Sequence, residues 1–273
     1  MALLTLTTDF GSQDFLAGAV KGRLLQADPQ FRIQDITHSL SPFNFPQAAY
    51  VCRNSLLHFP EHTYHIVLVN LFDRPSDQLL LAFHHQQYIL CADNGLLTMI
   101  LEERPEMVVG LPIGNTREKN TIHYVDVMAK AILQMQAGES LKNIGHTDVD
   151  FIEKHPLRPN FSDNWIEGQI IYIDHFENIV LNITREQFET HRKGRAFRII
   201  FKRDEVIDKI SENYSDVPEG EKVALFNASG YLEIAINKGN AAGLFGLQGF
   251  RQTNASQQNR LFYQTARIFF DQD

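Results

Sequence analysis

Three short segments place hydrogen-bonding side chains where strands should end. The first is Thr7-Thr8-Asp9-Phe10-Gly11, directly after the apolar, β-branched run Leu3–Thr8. Ligands of open α/β sheets lie beyond the carboxyl ends of strands. A carboxylate there can accept two hydrogen bonds from a vicinal diol such as a ribose, or it can simply cap a helix or close a turn. The second is Asp174-His175-Phe176-Glu177-Asn178, with Asn182 beyond it. Asp and Asn favour turns through local side-chain bonds, so a plain turn fits as well as a site. The third, Asn227–Ala235, runs from a turn into a strand. Its backbone groups and the Glu233 carboxylate could read a purine edge, or form an ordinary hairpin.

Other candidates are weaker. His58, His62 and His65 suggest a metal cluster, but Pro60 breaks the helix that would align the first two, so three unrelated histidines are expected. His84-His85-Gln86-Gln87 reads as a polar hairpin turn. Cys52 and Cys91 lie 39 positions apart without a Cys-x-x-Cys partner, so no zinc knuckle is expected. No metal ligand set is assigned. The chain has no G-x-G-x-x-G after a strand, no Walker A loop and no G-x-S-x-G elbow.

The elements that must carry these segments alternate in the first half. Leu3–Thr8 predicts a strand, and Leu16, Val20 and Leu24 a helix closed by Asp28-Pro29. Phe31–Ile36 is a second strand. A helix starting near Asn44 places Phe45, Ala48, Ala49, Cys52 and Leu56 on one face, with Pro46 in its first turn. Tyr64–Asn70 predicts a strand covered on both faces. Leu79–Phe83 and Tyr88–Ala92 predict further strands, and Val127–Met135 a helix. His155–Asn160 reads as a linker with two prolines. Beyond it, Gln169–Ile173, Ile179–Ile183, Ala196–Phe201, Lys222–Phe226, Tyr231–Ile236 and Arg260–Phe270 are short β-type runs with little helical periodicity. The expected fold is an α/β N-terminal domain (1–155) with a central sheet flanked by helices, and a smaller, mostly antiparallel, barrel-like β domain (163–273).

Composition narrows the function. The 273 residues are 44% hydrophobic and 21% charged, which excludes a disordered chain. The formal charge of −8 argues against a general nucleic-acid binder. Apolar stretches such as Leu96–Leu101 are too short to span a bilayer. The start, MALLTLTTDFG, lacks a basic signal-peptide region. A cytoplasmic protein without membrane attachment is the expectation.

Five segments in register resemble the S-adenosyl-L-methionine hydroxide adenosyltransferase family, which is related to the fluorinases and chlorinases. They are LTTDFG, DITHSLSPFNFPQAAYV, ADNGLL, YIDHFENIVLNI and NASGYLEIAINKGNAA, spanning about residues 3–245. The resemblance implies the same two-domain fold and a homotrimer. It also implies a ligand held between one subunit's N-terminal domain and its neighbour's C-terminal domain. Asp9 would bind the ribose hydroxyls and Phe43 would pack on the ligand. Asp174 and Asn178, with Phe176 in the same turn, would hold the methionine end or the ribose side. The segment carrying Ser229, Glu233 and Ala235 would hold the adenine, largely through backbone. No cofactor is implied, since S-adenosyl-L-methionine itself is the substrate or ligand.

The chain departs from that family at one locus. The hydrolytic members share an Asp-Pro-Gly-Val-Gly run followed by Arg, and a His-Gly-Arg-Asp run. Here the first reads Asn70-Leu71-Phe72-Asp73-Arg74-Pro75-Ser76-Asp77, and the second His123-Tyr124-Val125-Asp126. Asn70 therefore stands at the Asp position, and a neutral amide is no general base. His123 remains as the other catalytic-position residue, and Arg74 is the nearest guanidinium to replace the missing one. The expectations are a hydrolase-type enzyme releasing adenosine and L-methionine, or a non-catalytic trimer that binds or senses an adenosyl ligand. A different nucleophile on the same scaffold is a third reading, but Leu71-Phe72 is bulky for a halide pocket.

Overall fold

The structure is a computed structural model that describes residues 1–114, 119–202, 205–247 and 264–271. The chain divides into two compact units, Met1–Pro156 and Leu157–Asp273.

The first unit runs β1 (Leu3–Thr8), α1 (Leu16–Ala27), β2 (Arg32–Thr37), α2 (Phe45–Leu56), β3 (Tyr64–Leu68), β4 (Gln78–His84), β5 (Gln87–Ala92), α3 (Leu96–Leu101), β6 (Met107–Pro112), α4 (Thr121–Gln136) and α5 (Leu141–Ile144). The sheet order is β2-β1-β3-β5-β4-β6, and β4 alone runs against the others. Side chains alternate across its faces. Leu4, Leu6, Ile66 and Leu68 pack with Val20 and Leu24 of α1 and Val125 and Met128 of α4. Val67, Val69 and Cys91 pack with Ala48 and Cys52 of α2 and Leu96 of α3. All five residues of β3 are buried, as expected for a strand covered on both sides. Burial also pushes the Cys52 thiol up to about 12, which leaves it inert.

The helix starts follow local capping. Asn44 accepts from the backbone N–H of Gln47 at 3.1 Å, with proline in the first turn of α2. Asn120 accepts from the N–H of His123 at 3.0 Å. Two expectations change. The strand expected over Tyr64–Asn70 stops at Leu68, because Asn70 adopts a left-handed backbone with φ 48°. The helix expected from Val127 begins at Thr121, since its polar first turn conceals the periodicity.

The second unit contains β7 (Asn160–Ser162), β8 (Trp165–Ile173), β9 (Ile179–Thr184), α6 (Arg185–Arg192), β10 (Phe197–Lys202), β11 (Glu205–Ile207), a 3-10 turn at Tyr214–Asp216, β12 (Lys222–Phe226), β13 (Tyr231–Ile236), α7 (Ala241–Leu244) and β14 (Thr265–Phe270). Residues 260–263 of the expected last strand lie outside the described residues. The strand path is β11-β10-β14-β8-β9-β13-β12, with β7 beside β8. A bridge between Ile210 and Ala224 carries the chain after β11 to β12, so the antiparallel sheet nearly closes into a barrel. The helix α6 is an addition to the expected strands. Thr184 and Gln187 form a reciprocal capping box at its start. Its single buried residue, Phe188, plugs the barrel against Phe197, Phe226 and Phe270, with ring centroids at 5.1, 5.5 and 6.0 Å. Among the described residues no helix is long and apolar enough to cross a membrane.

A buried histidine makes the first unit acid-sensitive. His65 of β3 lies opposite Thr5 of β1, and its Nδ1 is 2.8 Å from the Thr5 hydroxyl. Burial lowers its pKa from 6.5 to about 4. The unfolded chain therefore takes up a proton first, and stability is lost as the pH falls from 6.5 toward 4. Urea unfolding should show a loss of about 2 kcal/mol from this group between pH 7.5 and pH 5. The His65→Gln variant should show a correspondingly shallower pH slope, and equal slopes would remove His65 as the cause.

Candidate functional site

The winding of the first sheet reverses between β1 and β3. From β1 the chain passes through α1 on one face to β2, then through α2 on the other face to β3. Such a switch point opens a crevice at the carboxyl ends of the strands. Asp9 leaves β1 there and Asn70 leaves β3. The Asn70 backbone N–H donates to Asp9 Oδ2 at 2.9 Å, and Asn70 Oδ1 accepts from the Phe43 N–H at 2.8 Å. Asn94, after β5, donates from Nδ2 to the carbonyls of Val69 and Asn70 at 3.0 and 3.1 Å. Four loops are thus tied through one asparagine.

The backbone is shaped for this. Asn70 (φ 48°) and Phe43 (φ 63°) are both left-handed. Asparagine tolerates that region, whereas for phenylalanine it is a strained conformation held by its surroundings. The Phe43 ring is 69% exposed, while Asn70 is buried. The Asn70 Nδ2 group is sealed from solvent without a hydrogen-bond partner. Burial raises the Asp9 pKa, against the opposing pull of the Asn70 amide.

His123 begins α4. Its Nε2 is 2.8 Å from the Ile113 carbonyl, so Nε2 carries the proton it donates there. The next residue, Tyr124, packs on Phe72 from the Asn70 loop at a centroid distance of 5.2 Å, which brings the two loops together. Asp126 points elsewhere, into a two-bonded pair with Arg23 of α1. Asp73 faces Lys154 at 3.9 Å. Arg74 lines a groove of about 770 Å³ with Phe72, Asp77, Asp93, Lys119 and Tyr124.

The barrel carries a second polar cluster. Asp174 organises the β8–β9 turn: Oδ1 accepts from the N–H groups of Phe176 and Asn178 at 2.9 and 2.8 Å, and Oδ2 from Asn178 Nδ2 at 3.1 Å. Glu177 takes φ 65° there, and one of its carboxylate oxygens is buried without a partner. Phe176 is 73% exposed. Glu233 of β13 is buried and accepts from the Tyr214 hydroxyl at 2.6 Å. Its pKa is raised chiefly by burial, with the Asp174 charge adding to it. The Tyr214 hydroxyl and the side chains of Asn227 and Asn178 oppose the shift. Asp174, Asn178 and Glu233 therefore share one cluster. Ser229 sits in the turn that Asn227 Oδ1 closes, donating its N–H at 3.0 Å. Ala235 is buried in the barrel wall opposite Val223, so only its backbone is offered. Asn94 falls within the ADNGLL segment, whose role the sequence leaves unassigned, and Tyr214 escapes sequence reading because neither its spacing nor its neighbours single it out.

The family model for the SAM hydroxide adenosyltransferase N-terminal domain matches residues 4–145, and that for the C-terminal domain residues 168–253. The chain belongs to the SAM hydroxide adenosyltransferase family. Curated relatives include the (R)-S-adenosyl-L-methionine hydrolases of Methanocaldococcus jannaschii and Thermus thermophilus, each 26% identical. They align with 89% and 88% of this chain and 91% and 94% of their own lengths. A fluorinase of Actinopolyspora mzabensis is 22% identical over 90% of this chain and 94% of its own. A crystal structure of an uncharacterized conserved protein from Thermotoga maritima shares the fold, with a TM-score of 0.79 and 22% identity, covering 98% of this chain and all of that one. In this chain the Asp174 carboxylate organises a turn of the barrel, and Asn70 occupies the junction of the first unit's loops beside Asp9.

Glu233 gives a measurable signature of the barrel cluster. With its pKa raised above 4.5, its protonated form stabilises the fold, and that contribution is lost as the pH rises through the folded value. Glu233→Gln has no such loss. The stability of the variant relative to wild type should therefore shift in the variant's favour between pH 4.5 and pH 8 in chemical denaturation. A constant difference would show that Glu233 is not strained by burial.

Proposed function

We propose that this chain binds an adenosyl ligand, S-adenosyl-L-methionine or adenosine, in the intersubunit site of a homotrimer, and that it hydrolyses S-adenosyl-L-methionine slowly or not at all. The observation that carries this reading is the neutral Asn70 at the centre of the loop junction, bonded to Asp9 through its backbone and to Phe43 through its side chain. Asp9 Oδ1 and Oδ2 are the acceptors for the ribose diol, and the exposed Phe43 ring covers the ligand. On the barrel, Asp174, Phe176 and Asn178 meet the methionine end or the ribose side, and the backbone of Ser229–Ala235 with Glu233 meets the adenine.

Hydrolysis of the ligand breaks the C5′–sulfur bond. The sulfonium leaves as the neutral thioether of L-methionine, water adds to C5′ of the ribose, and one proton is released. Positioning and exclusion of bulk water supply part of the barrier reduction. The proton still needs an acceptor, and Asn70 is none. Among the described residues, Asp126 of the same helix does not orient His123, because Arg23 holds it. Losing a positioned acid–base group costs about a hundredfold to ten-thousandfold in rate. The hydrolase names of the curated relatives support the ligand class, and the change at Asn70 supports the loss of turnover.

Two outcomes are expected. Light scattering should give a mass of about 94 kDa, three copies of the 31.3 kDa chain, since a heterologous contact closes as a ring. A mass near one chain at micromolar protein would sink the shared site. In calorimetry, Asp9→Ala should weaken adenosine binding by about 2–5 kcal/mol. Asp9→Asn, which can still accept from the Asn70 amide, should lose less. Unchanged affinity in both variants would take Asp9 out of the site.

A further inference from the structure

The β4–β5 hairpin lies at the opposite end of the sheet from Asp9 and Asn70. Successive strand residues point to opposite faces, so His84 and His85 would ordinarily diverge. Instead His85 takes a left-handed φ of 46°, and the two rings lie on one side with centroids 4.0 Å apart. The loop between α3 and β6 brings two carboxylates against them. Glu103 Oε1 is 3.1 Å from His84 Nε2 and 3.9 Å from His85 Nε2. Glu106 Oε1 is 4.0 Å from His84 Nδ1 and 3.9 Å from His85 Nδ1, and it accepts from the His85 N–H at 3.0 Å. One ligand atom from each of His84, His85 and Glu103 falls within 4.8 Å of the others.

A second observation separates this group from a surface ion pair. The His84 side chain is only 8% exposed, and its Nδ1 is sealed from solvent with no hydrogen-bond partner. Buried polar atoms are rarely left so. An ion pair with exposed glutamates needs neither ring nitrogen buried.

We propose that His84, His85 and Glu103, with Glu106 beside them, bind a divalent transition-metal ion of the zinc class. Two imidazoles with carboxylate oxygens suit zinc, nickel or copper, whereas calcium and magnesium take all-oxygen sets. Bonds of about 2.0–2.2 Å place tetrahedral ligand atoms about 3.3 Å apart. The exposed side chains of His85 and Glu103 have the freedom to close that distance onto the anchored His84. The ion would fasten the hairpin to the loop before β6. Its place, far from the crevice, makes it a structural or regulatory site that does not depend on the reading of Asn70.

The test uses untagged full-length protein stripped with chelator and dialysed. Zinc calorimetry should find one tight ion per chain, and cobalt(II) should develop the absorption bands of a low-coordinate site. His85→Ala and Glu103→Gln both alter exposed side chains and should keep the wild-type circular dichroism. Each should weaken zinc binding at least about tenfold and lose the cobalt bands, by analogy with the cost of disturbing a metal's surroundings. His58→Ala should change neither readout. Zinc affinity that both hairpin variants leave unchanged, or that His58→Ala abolishes, would overturn the proposal.

Discussion

The first unit depends on how one buried side chain satisfies loops that leave the sheet in different directions. Asn70 joins β1, β2 and β3 at the point where the winding reverses, accepting from Phe43 and donating its backbone to Asp9. Each bond is individually modest. Their shared effect is positional, because the left-handed backbone at Asn70 and Phe43 persists only where its surroundings impose it. Asparagine suits this position for three reasons. It tolerates the backbone, it accepts through Oδ1, and it brings no charge into a buried junction. The same neutrality that lets it lie buried beside Asp9 leaves its side chain unable to act as a base.

The barrel solves a related problem with charge. Glu233 sits in a wall strand, where an ionised carboxylate is costly. Tyr214, Asn227 and Asn178 offset part of that cost, and Asp174 adds to it. Asp174 commits its oxygens to the turn that carries Phe176 and Asn178. The two units thus present different materials. One offers the Asp9 carboxylate in a loop junction that also carries an exposed aromatic ring, and the other a rigid polar turn beside a buried acid.

Much of this is legible in the residues. The helix α2 announces itself through Asn44, Pro46 and a regular apolar face, and β3 through an unbroken apolar run, since both signals are local. The alternation in the first half and the short β runs in the second point to the two-domain class, and the five segments in register point to the family. Other features carry no local signal. The end of β3 at Leu68 depends on the conformation of Asn70, which is set by partners 27 and 61 positions away. The helix α6 hides in a polar stretch whose one core contact is Phe188. Tyr214 reaches Glu233 across 19 positions, and nothing in spacing alone pairs them. The histidines at 84 and 85 read as a polar turn, because only the folded hairpin brings two glutamates to them.

With the proposed adenosyl ligand in the crevice, its placement would favour turnover at C5′ and the neutral amide of Asn70 would oppose it. Chromatographic release of adenosine from S-adenosyl-L-methionine by purified protein decides between them. Wild-type release should be slow, about a hundredfold to ten-thousandfold below that of a hydrolase with its acid–base group in place, and His123→Ala should change little further. Rapid release by wild type that His123→Ala abolishes would show instead that the locus around Asn70 is a working active site.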